Sequence, residues 1–305
     1  MWAFIFRRVL QMLAILVVVV SGTFLLMRLA PGSPFAQERK LDPATERLWN
    51  ERYHLDGSLT VQLGYYWKNL LRGDLGESLK YKNRGVAEII AYALPKSAAI
   101  GLIALALALT AGIVTGSLAA ARHNTAVDRA LMLTALAGIC LPAFLIAPLA
   151  ALVFAIWLGW LPVAGWGGLS RLVLPAVCLA APYAAYCSRL MRTSMLEVLG
   201  QDFIRTARAK GLAERTVLYR HALKLAILPL VSYAGPLAAN VLTGSMVVET
   251  IFNIPGLGPF FVNSVLNRDV FLVGGTALVY LVILVTLNTA VDVGYTLLDK
   301  RIRLW

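Results

Sequence analysis

The stretch DFIRTARAKGLAERTVLYRHALKLAILP, residues 202–229, decides how the rest of the chain is read. It is basic and partly amphipathic, and it lies between two long apolar runs. Those runs belong in a membrane; this stretch faces something soluble. From Asp202 the pattern fits a short helix. Gly200 precedes it as a breaker, and Asp202 is a candidate N-cap, because a side-chain oxygen there accepts from an unpaired first-turn amide. Gly211 suits the residue that ends the helix in a left-handed conformation. Phe203, Ala207 and Lys210 share one side, and Ile204, Ala207 and Gly211 share another. Ala207 and Gly211, one turn apart, predict a smooth face able to lie close against another surface. Arg205, Arg208 and Lys210 make the segment cationic, and Thr206 and Leu212 complete it. Residues 215–228 form a second amphipathic piece that feeds the next apolar run at Pro229. Physics alone leaves three roles open: a helix flat on anionic lipid, a solvated connector, or a helix docked in a groove of a soluble partner. In the third role it is a transmission handle, moved by a partner and moving the membrane helices attached to it.

Composition supports the membrane reading. Of the 305 residues, 59% are hydrophobic and 14% charged, with mean hydropathy +0.73; soluble domains average about 25% charged. The net charge of +12 sits beside apolar runs, where basic residues set orientation and meet anionic lipid heads. No nucleic-acid-binding motif accompanies it. Cys140, Cys178 and Cys187 all fall in apolar stretches and read as buried small hydrophobes. The first apolar run, residues 9–27, is longer than the roughly 7–15 residues of a signal-peptide core and is read as a retained span.

A span needs about 20 apolar residues. Six segments qualify or nearly do: 9–29, 97–121, from after Arg129 to near Leu158, 172–188, 225–248 and 271–291. Lipid offers the backbone no partners, so all are expected to be helices. With the N-terminus inside, one face carries fifteen basic residues in short loops and termini, from Arg7 and Arg8 through Arg122, Arg129, Arg189, Arg192 and the handle to Lys300, Arg301 and Arg303. The opposite short loops carry only Arg171 and Arg268. The bias predicts both termini in the cytoplasm. Residues 1–30 are then a first transmembrane helix and 31–96 an external subdomain of short helices, with turns at Pro31-Gly32 and Asp56-Gly57. Residues 97–305 form a five-helix core carrying the handle helix at about 202–211. In 59–71, Tyr65, Tyr66 and Trp67 either meet an external partner or anchor the subdomain at the interface.

Gly112 and Gly116 form GxxxG, which permits close helix packing. Pro142, Pro148, Pro175 and Pro182 are expected to kink their helices. After the fifth span, Glu249 leads into TIFNIPGLGP, where Pro and Gly forbid a continuous helix. Irregular apolar backbone at membrane depth is tolerated where it lines a cavity or is covered by protein. Asn240, Glu249, Asn253, Pro255, Gly256 and Gly258 are therefore candidates for the translocation path or for contact with an external partner; an interfacial turn is the other reading. Glu249 could meet a cationic group of a solute or structure the loop. Asp292, with Asn288 nearby, reads as snorkelling to the interface or bonded to a neighbouring helix. His54, His123 and His221 show no metal spacing. No GxxxxGK[ST], HExxH or GxSxG is present, so the chain is read as non-catalytic. A stand-alone channel or secondary carrier is the runner-up; a carrier would usually show repeated halves and broken helices.

The handle resembles the EAA loop of ABC importer permeases. Ala207, Gly211 and Leu228-Pro229 follow that pattern, with Arg205 and Thr206 replacing its Glu and first Ala and Ile227 one position nearer the Leu-Pro than the pattern has it. FIRTARAKGL at 203–212, RLAPGSPF at 28–35, YHL at 53–55, TGSMVVETIFNIPGLG at 243–258 and LNRD at 266–269 are similar to the B-type permease subunits of bacterial oligopeptide importers, across essentially the whole chain. The resemblance implies an all-α, multi-pass permease of the bacterial inner membrane. It implies a second, homologous permease as heterodimer partner, two cytoplasmic ATPase subunits that hold ATP and Mg, and a periplasmic or lipid-anchored peptide-binding protein. It implies no cofactor in this chain. The handle would be the coupling helix seated in a cleft of one ATPase. The basic Arg205 implies an acidic partner surface.

Overall fold

A computed structural model describes residues 2–29, 57–81 and 83–298. The turn at Pro31-Gly32, the RLAPGSPF and YHL motifs and the basic C-terminus fall wholly or partly outside the described residues, as does the side chain of Asp292. The described chain is helical, with one isolated bridge between Glu77 and Gly85. Helix α1 spans Trp2–Leu29, α2 Leu59–Leu71, α3 Val86–Ala121, α4 Ala126–Cys140, α5 Ala143–Ala150 and α6 Ser170–Leu199. Then come the short α7 Asp202–Ala209, α8 Glu214–Thr216 and α9 Leu223–Ala226, followed by α10 Leu228–Leu242, α11 Met246–Ile251, α12 Leu257–Leu266 and α13 Val270–Leu298. Two π-helical segments, Ala151–Trp157 and Val217–Ala222, join α5 and α9.

Five helical stretches are long and apolar enough to cross a bilayer, and the α4–α5 pair makes up to six if it counts as one span. Their apolar windows are only 11–44% buried within the chain. Leu102, Val114, Leu133, Phe144 and Ile156 point outward, as expected where lipid rather than water surrounds the bundle. Helix α3, with 36 residues, is roughly 54 Å long. It exceeds the ~30 Å hydrocarbon core and begins at Val86, well before residue 97.

The third expected span is not one helix. It breaks at Leu141-Pro142, and its halves are bent by 106°. Proline supplies no amide to the ladder and disfavours helical geometry at the residue before it; Leu141 accordingly has ψ 120°. Pro148, Pro175, Pro182 and Pro236 lie within helices that continue through them.

The main core joins α3, α6, the π segment after α8, α10 and α11. Gly112 and Gly116 serve here as the GxxxG motif predicts. A Cβ at either would collide with α6 at Cys187–Ser188 or Ser188–Met191, and Thr115 Oγ1 donates to Ser188 Oγ at 2.8 Å. Cys178 and Cys187 are buried, whereas Cys140 is exposed. A second core joins α1, α2, the start of α3 and α13. Tyr66 lies inside it, tilted against Phe24 (5.2 Å) and Phe271 (6.2 Å). Tyr66 is thus a core residue and not an interfacial anchor. Trp67 Nε1 donates to Ser21 Oγ at 3.0 Å.

Candidate functional site

At one end of the bundle, α7 follows α6 after a tight turn at Gly200-Gln201. Gln201, not Asp202, is the N-cap, and its side chain makes no capping bond. Asp202 is instead the first helical residue, where its charge favours the positive end of the helix, and it meets Arg205 Nη1 at 3.3 Å. The C-terminus forms a Schellman turn: the Leu212 amide donates to Ala207 O and the Gly211 amide to Arg208 O, with Gly211 at φ +76°. Gly211 ends the helix as expected, and a Cβ there would meet nothing within 4 Å.

The surface that the small-residue face of α7 meets belongs to this chain. Ile204 and Ala207 are buried in the main core with Val217 and Ala222, so the small-residue face is spent on this chain's own π segment. The open face presents Asp202, Phe203, Arg205 and Thr206, continued by Lys210, Gly211 and Leu212. Arg208 is withdrawn from it by a two-pronged bond to Glu214, Nη2–Oε1 2.6 Å and Nε–Oε2 3.1 Å. The guanidinium holds the Glu214 carboxyl below its ordinary range. This clasp closes the loop between α7 and α8. From there contact runs through the π segment to α6 and α9, and from α9 to α10. These contacts form an unbroken path from α7 to α10.

At the same end, Arg192 of α6 grips Asp128 in the first turn of α4, Nε–Oδ1 2.6 Å and Nη2–Oδ2 2.8 Å. His123 Nδ1 lies 3.4 Å from the same carboxylate.

The opposite end is built around two buried carboxylates. Ser97 Oγ donates to Glu249 Oε1 (2.7 Å) and accepts from the Leu257 amide (2.7 Å), while the Gly258 amide donates to Glu249 Oε2 (3.1 Å). A Cβ on Gly244 or Gly256 would enter this cluster. Asp269, in the turn before α13, accepts from Ser78 Oγ (2.5 Å) and from the Lys80 and Leu272 amides. Burial pushes the Asp269 carboxyl up, opposed by these hydrogen bonds. The 159–168 loop joins the same end through Gly165 N to Phe252 O, 2.8 Å.

A sequence family described as binding-protein-dependent transport system inner membrane component matches residues 112–304. Over 305 residues the chain is 43% identical to the oligopeptide transport system permease protein OppB of Haemophilus influenzae and 44% identical to that of Salmonella typhimurium, covering 99% of this chain and 100% of each relative. It is 40% identical over 301 residues to the dipeptide transport system permease protein DppB of Bacillus subtilis, covering 99% and 98%.

The chain belongs to this family of transport permeases.

In the permease, Glu249, Gly256 and Gly258 come together around Ser97. Glu249 is 2% exposed, so its carboxylate organises the loop and is not presented to a solute in this conformation. In that loop Asn253, at φ +49°, is exposed and Pro255 is half-buried. Asn240 is elsewhere: its Oδ1 accepts from Tyr280 of α13 at 2.8 Å. The sequence reading missed Ser97, Ser78 and the acceptor role of Asp269. LNRD was in view as a motif, but its partner is 191 positions away.

Proposed function

We propose that this permease is the B-type transmembrane subunit of an ATP-driven peptide importer. It crosses the inner membrane six times, with α4 and α5 as the third crossing and both termini in the cytoplasm. Together with a second, homologous permease it forms the path for oligopeptides delivered by an external binding protein. Two cytoplasmic ATPase subunits bind ATP and Mg and drive it; the chain itself catalyses nothing. Supporting this are the full-length identity to oligopeptide and dipeptide permeases and the basic residues gathered at the end that bears α7.

The observation that carries the coupling role is the division of α7. One face is anchored in the bundle by Ile204 and Ala207, and the other offers Phe203, Arg205, Lys210 and Leu212. A cleft in an ATPase takes the open face, and closure of the ATPases pushes α7. The push passes through the Arg208–Glu214 clasp and the π segment into α10 and α6, shifting the bundle between inward-open and outward-open states. At the outer end, Asn253 and Pro255 face the binding protein on a loop held by Glu249.

The test is co-purification of the ATPases with the Gly211→Trp variant, together with peptide uptake in cells. The variant inserts in the membrane but recovers no ATPase and supports no uptake. Normal transport by it would rule out the docked helix. Peptide uptake by the chain without any ATPase would point to a channel or carrier instead.

A further inference from the structure

A groove of about 500 Å³ runs between α4 and α6 at the α7-bearing end, lined by Arg129, Met132, Leu133, Arg189, Arg192 and Thr193 among others. Its chemistry changes along its length. Along α4 the lining passes from Arg129 to Leu133 and Leu136, which are 65% and 46% exposed, and α6 contributes Arg189 and Arg192. The three cations are not equivalent. Arg192 is spent on Asp128, the one acidic residue of α4. The Arg129 and Arg189 guanidinium groups have no ion-pair partner among the described residues and are both exposed. Two uncompensated guanidinium groups beside a hydroxyl and above an apolar strip match a charged head with a hydrocarbon tail. Guanidinium binds phosphate oxygens through paired N–H donors. Basic grooves between membrane helices on the cytoplasmic side are suited to anionic headgroups.

We infer that this groove is a binding site for an anionic phospholipid of the cytoplasmic leaflet: Arg129, Arg189 and Thr193 take the phosphate, and Met132, Leu133 and Leu136 take the start of an acyl chain. The site is separate from the handle and from the outer loop. It rests on the membrane orientation proposed above but not on the identity of the solute. A lipid seated there would bridge α4 and α6 beside the Arg192–Asp128 pair.

The experiment is native mass spectrometry of the full chain, purified with its accompanying subunits. It is titrated with phosphatidylglycerol, with phosphatidylcholine, and with phosphatidylglycerol plus inorganic phosphate. The wild type retains phosphatidylglycerol selectively, and inorganic phosphate does not displace it. Arg129→Gln with Arg189→Gln lowers retention roughly thirtyfold, from about 1 kcal/mol per basic residue near the surface. Arg129→Lys with Arg189→Lys keeps most of it, which separates lost charge from lost fold. The charge-matched Arg215→Gln with Arg220→Gln leaves it unchanged. Equal retention of both lipids, or no difference between the Gln pair at 129 and 189 and the wild type, would overturn the site. So would a photo-crosslinker at Leu133 that labels a neighbouring subunit and no lipid. Peptide uptake is measured in parallel, so failure of the lipid site and failure of the importer reading give different results.

Discussion

The two ends of this permease are held in opposite ways. At the end opposite α7, Glu249 and Asp269 are 2% and 0% exposed, and each binds segments distant in sequence. At the α7 end, Asp202–Arg205 and Arg208–Glu214 are exposed pairs between near neighbours; only Asp128–Arg192 is sheltered. Removing a partner from a buried hydrogen-bonded group leaves desolvated donors without acceptors, whereas water replaces a partner lost at the surface. The end opposite α7 is therefore stapled by buried polar groups, whereas α7 is held by the apolar anchors Ile204 and Ala207 and by exposed ion pairs that cost little to rearrange. The coupling role proposed above uses this asymmetry: a fixed far end and a helix whose open face can be gripped.

The largest test of the contrast is Asp269→Ala. It strips the acceptor from Ser78 Oγ and two amides and should destabilise the protein by about 3 kcal/mol or more, read as a lower midpoint of thermal unfolding in detergent. An unchanged midpoint would mean the outer end is not stapled there. Next is Gly256→Ala, whose Cβ would press on the Glu249 carboxylate and Ser97 Oγ. Overpacking of this kind costs about 1–3 kcal/mol, and a neutral result would show that the cluster yields. At the other end, Gly211→Ala has room for its methyl but must hold φ +76°; we expect a loss of about 1–2 kcal/mol, with most of the effect in ATPase recovery rather than unfolding. The smallest effect is expected for Glu214→Gln, which weakens an exposed clasp by well under 1 kcal/mol after screening. Because Arg208 lowers the Glu214 pKa, the clasp contributes above its ordinary value of 4.5 and is lost as pH falls through the lower folded value. Wild type and variant should thus differ equally at pH 6 and pH 8 and converge in acid.

Much of the architecture was legible in the chain. The apolar runs, the GxxxG contact of Gly112 and Gly116, and the helix end at Gly211 follow from local rules: span length, small side chains and positive φ. The break in the third span was half legible. Pro142 announced a kink, but a bend of 106° depends on what packs beside it. The sites fared differently. Residues 202–212 stood out by charge and position, but their spacing left open which surface the Ile204 and Ala207 face would meet; it turns inward onto Val217 and Ala222. Helical spacing says which residues share a face; it does not say which neighbour that face meets. Glu249 was singled out as an ionisable group near a span, with its use left open between solute and loop. Ser97 decided the matter from 152 positions away.

The amino-acid sequence by itself determined that this is a helical membrane protein with a basic handle, because hydrocarbon thickness and charge asymmetry act on local composition. Tertiary structure alone decided which carboxylates are sealed, which face of α7 is open, and where α4 and α6 leave two arginines without an ion-pair partner among the described residues. Those outcomes depend on distances between residues far apart in the chain, and no local pattern encodes them.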